Sequence, residues 1–223
     1  MTIFPTADPP SPPRLWDRIT EWGLRNIHKR RTVDGLDLFA TDDVLLDRVD
    51  AALVLIKVHD PVRYRRMLGD LNRICITYLP GPTGQFISRT RTCELDRRFV
   101  LREGTTPDLI ASTIVHEATH ARLHRIGIGC PEALRGRIED LCVRQQWVFA
   151  ARSPNGAQAM AWAERYLNAP QPDFSDQALR ARADKGLGAL LEEEAGLSPK
   201  WAGRLLASIK WLARKLRDKK QSG

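Results

Sequence analysis

Residues 114–121 read Ile114-Val115-His116-Glu117-Ala118-Thr119-His120-Ala121 and contain the pattern His-Glu-x-x-His. Side chains four positions apart on a helix lie on one face, with roughly 6 Å between their Cβ atoms, so both imidazoles can reach one ion. Glu117 stands between them, where its carboxylate can take a proton from a water that the ion activates. The stretch therefore predicts a metal-binding helix that carries a general base.

The flanking residues predict where this helix begins and ends. Thr106 suits the N-cap, Pro107 the first helical position and Asp108 the positive helix end, while Gly127 can end the helix. The face opposite the histidines carries an apolar stripe, formed by Ile110, Ile114, Ala118 and Ala121. The competing interpretation is two histidines that stand four apart by accident. The helix-capping residues and the apolar stripe favour the metal site, because two histidines that stand four apart by accident need not lie on a capped, amphipathic helix.

A catalytic zinc ion usually has three protein ligands and one open position, so a third ligand is needed. The chain has five histidines, at positions 28, 59, 116, 120 and 124. His124 lies about 12 Å along the helix axis from His116, too far for both to hold one ion. We predict that His124 supports the ligands or faces the substrate; a polar residue of the exposed face is the alternative.

A downstream carboxylate is the remaining choice for the third ligand. Residues 131–152 have the pattern of a second helix and carry Glu132, Glu139 and Asp140. Glu139 stands nineteen positions after His120, enough chain for a turn and an antiparallel return alongside the first helix. We predict Glu139 as the ligand and keep Asp140 and Glu132 as substitutes. The alternative is a surface glutamate paired with a neighbouring arginine.

These residues resemble a known family. Residues 115–121, followed by Glu139 in the run Arg137-Ile138-Glu139-Asp140-Leu141-Cys142, resemble the gluzincin type of zincin metallopeptidases, nearest to the small ImmA/IrrE-like and SprT-like bacterial members. The resemblance covers about residues 73–150. It implies one Zn²⁺ held by His116, His120 and Glu139, with Glu117 as the catalytic residue in the hydrolysis of a protein or peptide substrate. The sequence departs from thermolysin-like enzymes at Cys142, where they carry an aspartate.

Composition restricts the class of protein. The chain has 223 residues, 43% of them hydrophobic and 28% charged, as expected for one globular domain with appendages. The net charge of +8 permits binding to nucleic acid or to an anionic membrane without requiring it. There is no signal-peptide pattern and no membrane-spanning apolar run, and the four cysteines show no C-x-x-C spacing. We therefore predict a reduced, cytoplasmic, soluble protein.

Four regions are predicted along the chain. Residues 1–13 hold five prolines and form a disordered leader, and residues 14–72 form an N-terminal helical region with helices over 14–29, 41–58 and 62–71. Arg30 and Arg31 belong to a basic end of the first helix. Residues 73–152 form the metal-binding core, which opens with a small antiparallel sheet of strands over 73–79, 86–92 and 93–101. An edge strand of that sheet could bind an extended peptide.

Residues 153–223 are predicted to be a C-terminal helical region with a basic end. Its helices lie over 157–167, 177–194 and 198–217. The basic end of the last helix allows contact with nucleic acid or an anionic membrane, and a helix docked on the core with a solvated basic end is the commoner arrangement.

The predicted fold is α+β: a mostly helical, zincin-like domain with a small antiparallel sheet before the metal-binding helix. The predicted function is zinc-dependent hydrolysis of peptide bonds. Two alternatives stay open, a non-catalytic zinc-binding protein and a nucleic-acid-associated protein that retains the zincin fold. The sequence gives no indication of the oligomeric state.

Overall fold

The computed structural model describes residues 29–196 and, beyond them, only Ser198, Trp201, Arg204 and Ser208. The predicted leader, all but the last residue of the helix over 14–29, and most of the helix over 198–217 lie outside the described residues. The described residues divide into two compact units, one of residues 29–78 and 82–174, the other of residues 79–81 and the described residues from 175 onward. The four regions predicted from the sequence stay predictions.

The first unit contains a five-stranded mixed sheet in the order β1-β2-β3-β5-β4. Its strands are β1 Lys29–Val33, β2 Leu36–Ala40, β3 Arg73–Thr77, β4 Gly84–Ile87 and β5 Thr92–Asp96. The β2–β3 and β3–β5 pairs are parallel, and the two outer pairs are antiparallel. Leu38, Ile74, Cys93 and Phe86 lie side by side across four strands.

The predicted small antiparallel sheet is therefore wrong in two respects. Two strands precede residue 73, so Arg30 and Arg31 belong to β1 and do not end a helix. The three later strands are also not all antiparallel, since β3 pairs in parallel with β5, which lies between β3 and β4. Burial explains this order: β3 and β5 are mostly buried and take inner positions, whereas all four residues of β4 are half-buried, as suits an edge.

The helices of the described residues confirm an α+β fold. They are α1 Asp43–His59, α2 Pro61–Asp70, α3 Arg97–Leu101, α4 Pro107–Arg125, α5 Arg135–Ala150, α6 Ala157–Asn168 and α7 Asp176–Ala195, with a 3₁₀ turn at Glu132–Leu134. The strand predicted up to residue 101 is wrong in its second half. Asp96 ends β5 and accepts a hydrogen bond from the Phe99 backbone N–H, and this cap starts α3 instead.

The second unit consists, among described residues, of α7 with the Leu79–Gly81 segment. Ser175 caps α7 by accepting from the Ala178 N–H, and Gly196 ends it in the left-handed conformation, at φ 63°. Gly186 packs directly on the Pro80 carbonyl, because a Cβ at position 186 would lie 2.4 Å from that oxygen. The helix predicted over 177–194 is confirmed.

The core of the first unit lies between α4 and the sheet. Thr106 caps α4 by accepting from the Leu109 N–H, and Gly127, at φ 82°, follows its C-terminal end. The four residues of the predicted apolar stripe are all buried, and ten of the nineteen residues of α4 are buried in total. The helix is therefore fixed in place by packing, and its polar residues are held with it.

Among the described residues, no helix is both long and apolar enough to cross a membrane. None of the four cysteines, all of them described, forms a disulfide; Cys130 is exposed and the other three are buried. Cys75 and Cys93 lie on the neighbouring strands β3 and β5 and are buried in the core. The cytoplasmic location stays a prediction.

A tight hairpin joins β1 to β2. Asp34 and Gly35 form its turn with positive φ values of 48° and 87°. The Asp34 carboxylate accepts from Tyr64 Oη at 2.9 Å and pairs with Lys57 Nζ at 2.8 Å. These two bonds lower the pKa of Asp34, and they tie the turn to α1 and α2.

Gly35→Ala is expected to lower the free energy of unfolding by roughly 1–2 kcal/mol. The added Cβ meets no steric clash, because no heavy atom lies within 4 Å of it. The loss of stability therefore comes only from the positive φ, which alanine adopts at a cost. Chemical denaturation measures it. The matched control is Gly69→Ala in α2, where φ is not positive, which should leave stability unchanged or raise it by up to about 1 kcal/mol. An equal loss in both variants would contradict the prediction.

Candidate metal centre

The antiparallel packing of α4 against α5 brings two imidazoles and one carboxylate together. His116 Nε2 lies 3.3 Å from His120 Nε2. Glu139 Oε2 lies 3.3 Å from His116 Nε2, and its Oε1 lies 3.4 Å from His120 Nε2. The turn after Gly127 reverses the chain and lays Glu139 against the histidine face of α4, as the helical hairpin predicted from the sequence requires.

Cys142 lies in the same cluster, one turn after Glu139 on α5. His116, His120 and Cys142 each offer one ligand atom, and these atoms all lie within 4.8 Å of one another. The three residues form a group that could hold one metal ion. Cys142 is fully buried, and burial together with the charges of Glu139 and Glu117 raises the pKa of its thiol far above the usual value.

The spacing of the donor atoms fits a tetrahedral ion. Ligand atoms at 2.0–2.1 Å from a tetrahedral centre stand about 3.3–3.4 Å from one another. The two Nε2 atoms lie 3.3 Å apart, and each lies 3.3–3.4 Å from a different oxygen of the Glu139 carboxylate. Imidazole nitrogen combined with carboxylate or thiolate is also a donor set that zinc accepts.

Glu117 lies beside this cluster, 5% exposed. Burial raises the pKa of its carboxyl group, and the charge of Glu139 raises it further, against the opposing effect of the two histidines. Its carboxylate makes no hydrogen bond to another described residue. An acceptor held in a buried place without a partner is suited to receive a proton from a small molecule.

Gly84 of the edge strand β4 allows Glu117 to occupy this place. A Cβ built on Gly84 would lie 3.1 Å from Glu117 Oε1 and 3.0 Å from Thr113 Cγ2. A side chain at position 84 would therefore push against α4. Because glycine has no side chain, the backbone of β4 at position 84 can lie next to the Glu117 carboxylate.

The charges of the cluster support one another. Burial works to raise the pKa of Glu139, but hydrogen bonds to His116 and His120 outweigh it and hold that pKa far below its usual value. Burial works to lower the pKa of His116, yet its bond to Glu139 and the charges of Glu117 and Glu139 raise it. The two carboxylates thus favour positive charge at the imidazoles, whether from a proton or from a metal ion.

Gln146 is a buried partner that the sequence analysis missed. Its side chain lies within reach of the His116 ring, where it contributes to the raised pKa of that imidazole, and it is 4% exposed. A detectable signal was present, because Glu139, Cys142 and Gln146 stand at i, i+3 and i+7 and so share one face of α5. A group that fixes the orientation of a ligating imidazole commonly strengthens metal binding.

The other residues considered in the sequence lie outside this cluster of donors. The His124 ring packs on Phe86 of β4, with 5.9 Å between ring centroids. Asp140 accepts a hydrogen bond from Gln171, and Glu132 is exposed on the 3₁₀ turn before α5. The roles predicted for these residues, as for the ligands and Glu117, stay predictions.

Comparison of the chain with protein-family models, with curated proteins and with solved structures found no match. The resemblance to gluzincins therefore depends on the residues of the motif and of the Glu139 helix.

Gln146→Leu is expected to weaken zinc binding about 10- to 100-fold, because His116 loses the partner that orients its ring. Competition with a chromogenic chelator measures the affinity. Gln145→Leu is the matched control. Gln145 directly precedes Gln146 on α5 and accepts a hydrogen bond from Arg63 at 2.9 Å. Equal affinities in the two variants would show that Gln146 has no part in the site.

Zinc content of the purified protein is expected near one ion per chain, and it should be lost in His120→Ala and in Glu139→Ala. Cys142→Ala should retain it, because Glu139 already supplies the third donor at 3.3 and 3.4 Å. Atomic absorption after dialysis measures the content. Retention in Glu139→Ala with loss in Cys142→Ala would make Cys142 the ligand instead.

Proposed function

We propose that this chain is a zinc-dependent metallopeptidase with a zincin-like fold. In this proposal His116, His120 and Glu139 hold the ion, and Glu117 is the general base. The observation that carries it is Glu117, 5% exposed, beside two imidazole nitrogens 3.3 Å apart, each of which lies 3.3–3.4 Å from one oxygen of the Glu139 carboxylate. The motif, the α+β fold and the helical hairpin of α4 and α5 support the same assignment.

A zinc ion bound here would supply Lewis acidity to a carbonyl oxygen and acidify a water molecule. Glu117 accepts the proton of the attacking water on its carboxylate and delivers it to the nitrogen of the departing amine. Its raised pKa suits this exchange, because a carboxyl group that is too acidic would hold a proton poorly. Gln146 keeps the ring of His116 in position throughout.

The edge strand β4 is the proposed binding surface for the peptide. Among the described strands, β4 pairs only with β5, so its other edge has unpaired backbone groups. An extended peptide can add to such an edge by main-chain hydrogen bonds. Because Gly84 places this strand next to Glu117, a peptide bound there would present its backbone to the proposed base.

Glu117→Gln is expected to keep one zinc ion per chain and to lower peptide hydrolysis at least about 100-fold, since the amide cannot accept the proton. Zinc content and turnover of a quenched fluorescent peptide library measure the two effects. Glu103→Gln, which changes an exposed glutamate in the turn before α4, is the matched control and should match the wild type. Loss of zinc, or full activity, in Glu117→Gln would refute the assigned role.

A second candidate is a non-catalytic metal site, which the position of Cys142 favours. A thiolate joining two imidazoles and a carboxylate would close the coordination shell, as in structural zinc sites. In that case the wild type would bind zinc and hydrolyse nothing, and Cys142→Ala would weaken zinc binding. The nucleic-acid-associated alternative depends on the basic C-terminal end, most of which lies outside the described residues.

A further inference from the structure

A cavity of about 460 Å³ lies against another face of α4 than the one that carries the histidines. Ala118, Thr119, Arg122 and Leu123 contribute to its wall, whereas His116, Glu117 and His120 do not. Residues of α2 and α5 complete the lining. The cavity is thus separate from the metal centre, although both are built on one helix.

Arginine dominates the polar lining. Arg63, Arg66, Arg122 and Arg152 line the cavity together with two carboxylates, Asp60 and Asp70. The formal balance is four positive charges against two negative ones. A surplus of two positive charges remains in the wall.

Both carboxylates are already engaged by arginines. Asp60 lies 3.0 Å from Arg63 Nε and 3.3 Å from Arg152 Nη1. Asp70, which is 2% exposed, has Arg125 Nε at 2.7 Å and Arg122 Nη1 at 3.7 Å. Each carboxylate therefore stands between two guanidinium groups and cannot neutralise a third.

Arg66 is the guanidinium left over. It forms no ion pair or hydrogen bond with another described residue, while it lines the cavity. An unpaired arginine beside a surplus of positive charge favours an anion, and the planar fork of guanidinium matches the oxygens of a phosphate group.

Apart from Thr119 and Gln145, the rest of the lining is apolar. Met67 is buried at the wall, and Leu123 and Leu141 lie beside it, the latter 38% exposed. A cavity of this volume, with apolar walls and a few charged groups, is typical of sites for small organic molecules. An inorganic ion alone would leave these apolar contacts unused.

We infer that this cavity binds a small organic phosphate monoester, with the dianionic phosphate at Arg66 and the neighbouring arginines and the organic part on Met67, Leu123 and Leu141. The binding is independent of the proposed peptidase chemistry, because none of the lining residues belongs to the donor cluster.

The test is calorimetric titration of the zinc-loaded full chain with phenyl phosphate. We expect saturable binding that is tighter than that of inorganic phosphate, which lacks the ring, and of phenyl sulfate, which carries one charge less. Arg66→Ala should weaken it at least about tenfold. The matched control is Arg144→Ala, an exposed arginine of α5 outside the cavity that has no bond to another described residue; it should stay within about twofold.

Zinc itself can bind phosphate, so the titration is repeated on His120→Ala. Retained binding supports the cavity, and loss of binding places the ligand at the metal centre and overturns the inference. No saturable binding of phenyl phosphate up to about 10 mM would also overturn it. So would equal weakening in Arg66→Ala and Arg144→Ala, because binding would then reflect only the general positive charge.

Discussion

Two imidazoles and two carboxylates lie within one largely buried space, and this juxtaposition constrains the rest of the molecule. Burying a charge without a partner costs several kcal/mol, so such groups must share a proton or a cation. The contact between α4 and α5 satisfies the requirement by setting Glu139 at 3.3 and 3.4 Å from the histidines. The sheet then fixes α4 from its other side through buried residues such as Ile110 and Ile114.

The parts of the site that could be predicted from the sequence depend on local signals. The caps of α4 and the spacing of His116 and His120 are properties of one helix, so the sequence alone indicates them. The approach of Glu139 needs only a short turn and an antiparallel return, because few other arrangements connect two such helices. Gln146 was missed although it stands on the Glu139 face of α5, because a single amide carries no motif.

The errors concern the sheet, where pairing depends on distant parts of the chain. Parallel pairing of β2 with β3 joins residues separated by two helices, and no local pattern shows which strands become neighbours. Two local signals were nevertheless available. Asp34-Gly35 is a strong hairpin signal between β1 and β2, and Asp96 is a capping residue that ends β5 and begins α3.

The residues of the candidate metal centre are close together along the chain, whereas paired residues of the sheet are far apart. The donors, from His116 to Cys142, and the neighbouring Gln146 all come from the single helical hairpin of α4 and α5. The sheet, in contrast, requires Leu38 to pair with Ile74, which is far away along the chain. Contacts between residues close in sequence form faster than distant ones. The hairpin is thus the part of the molecule suited to assemble first, and a chain still being synthesised would expose all the metal donors before its last residues emerge. Loading of the ion could then accompany folding and guide it.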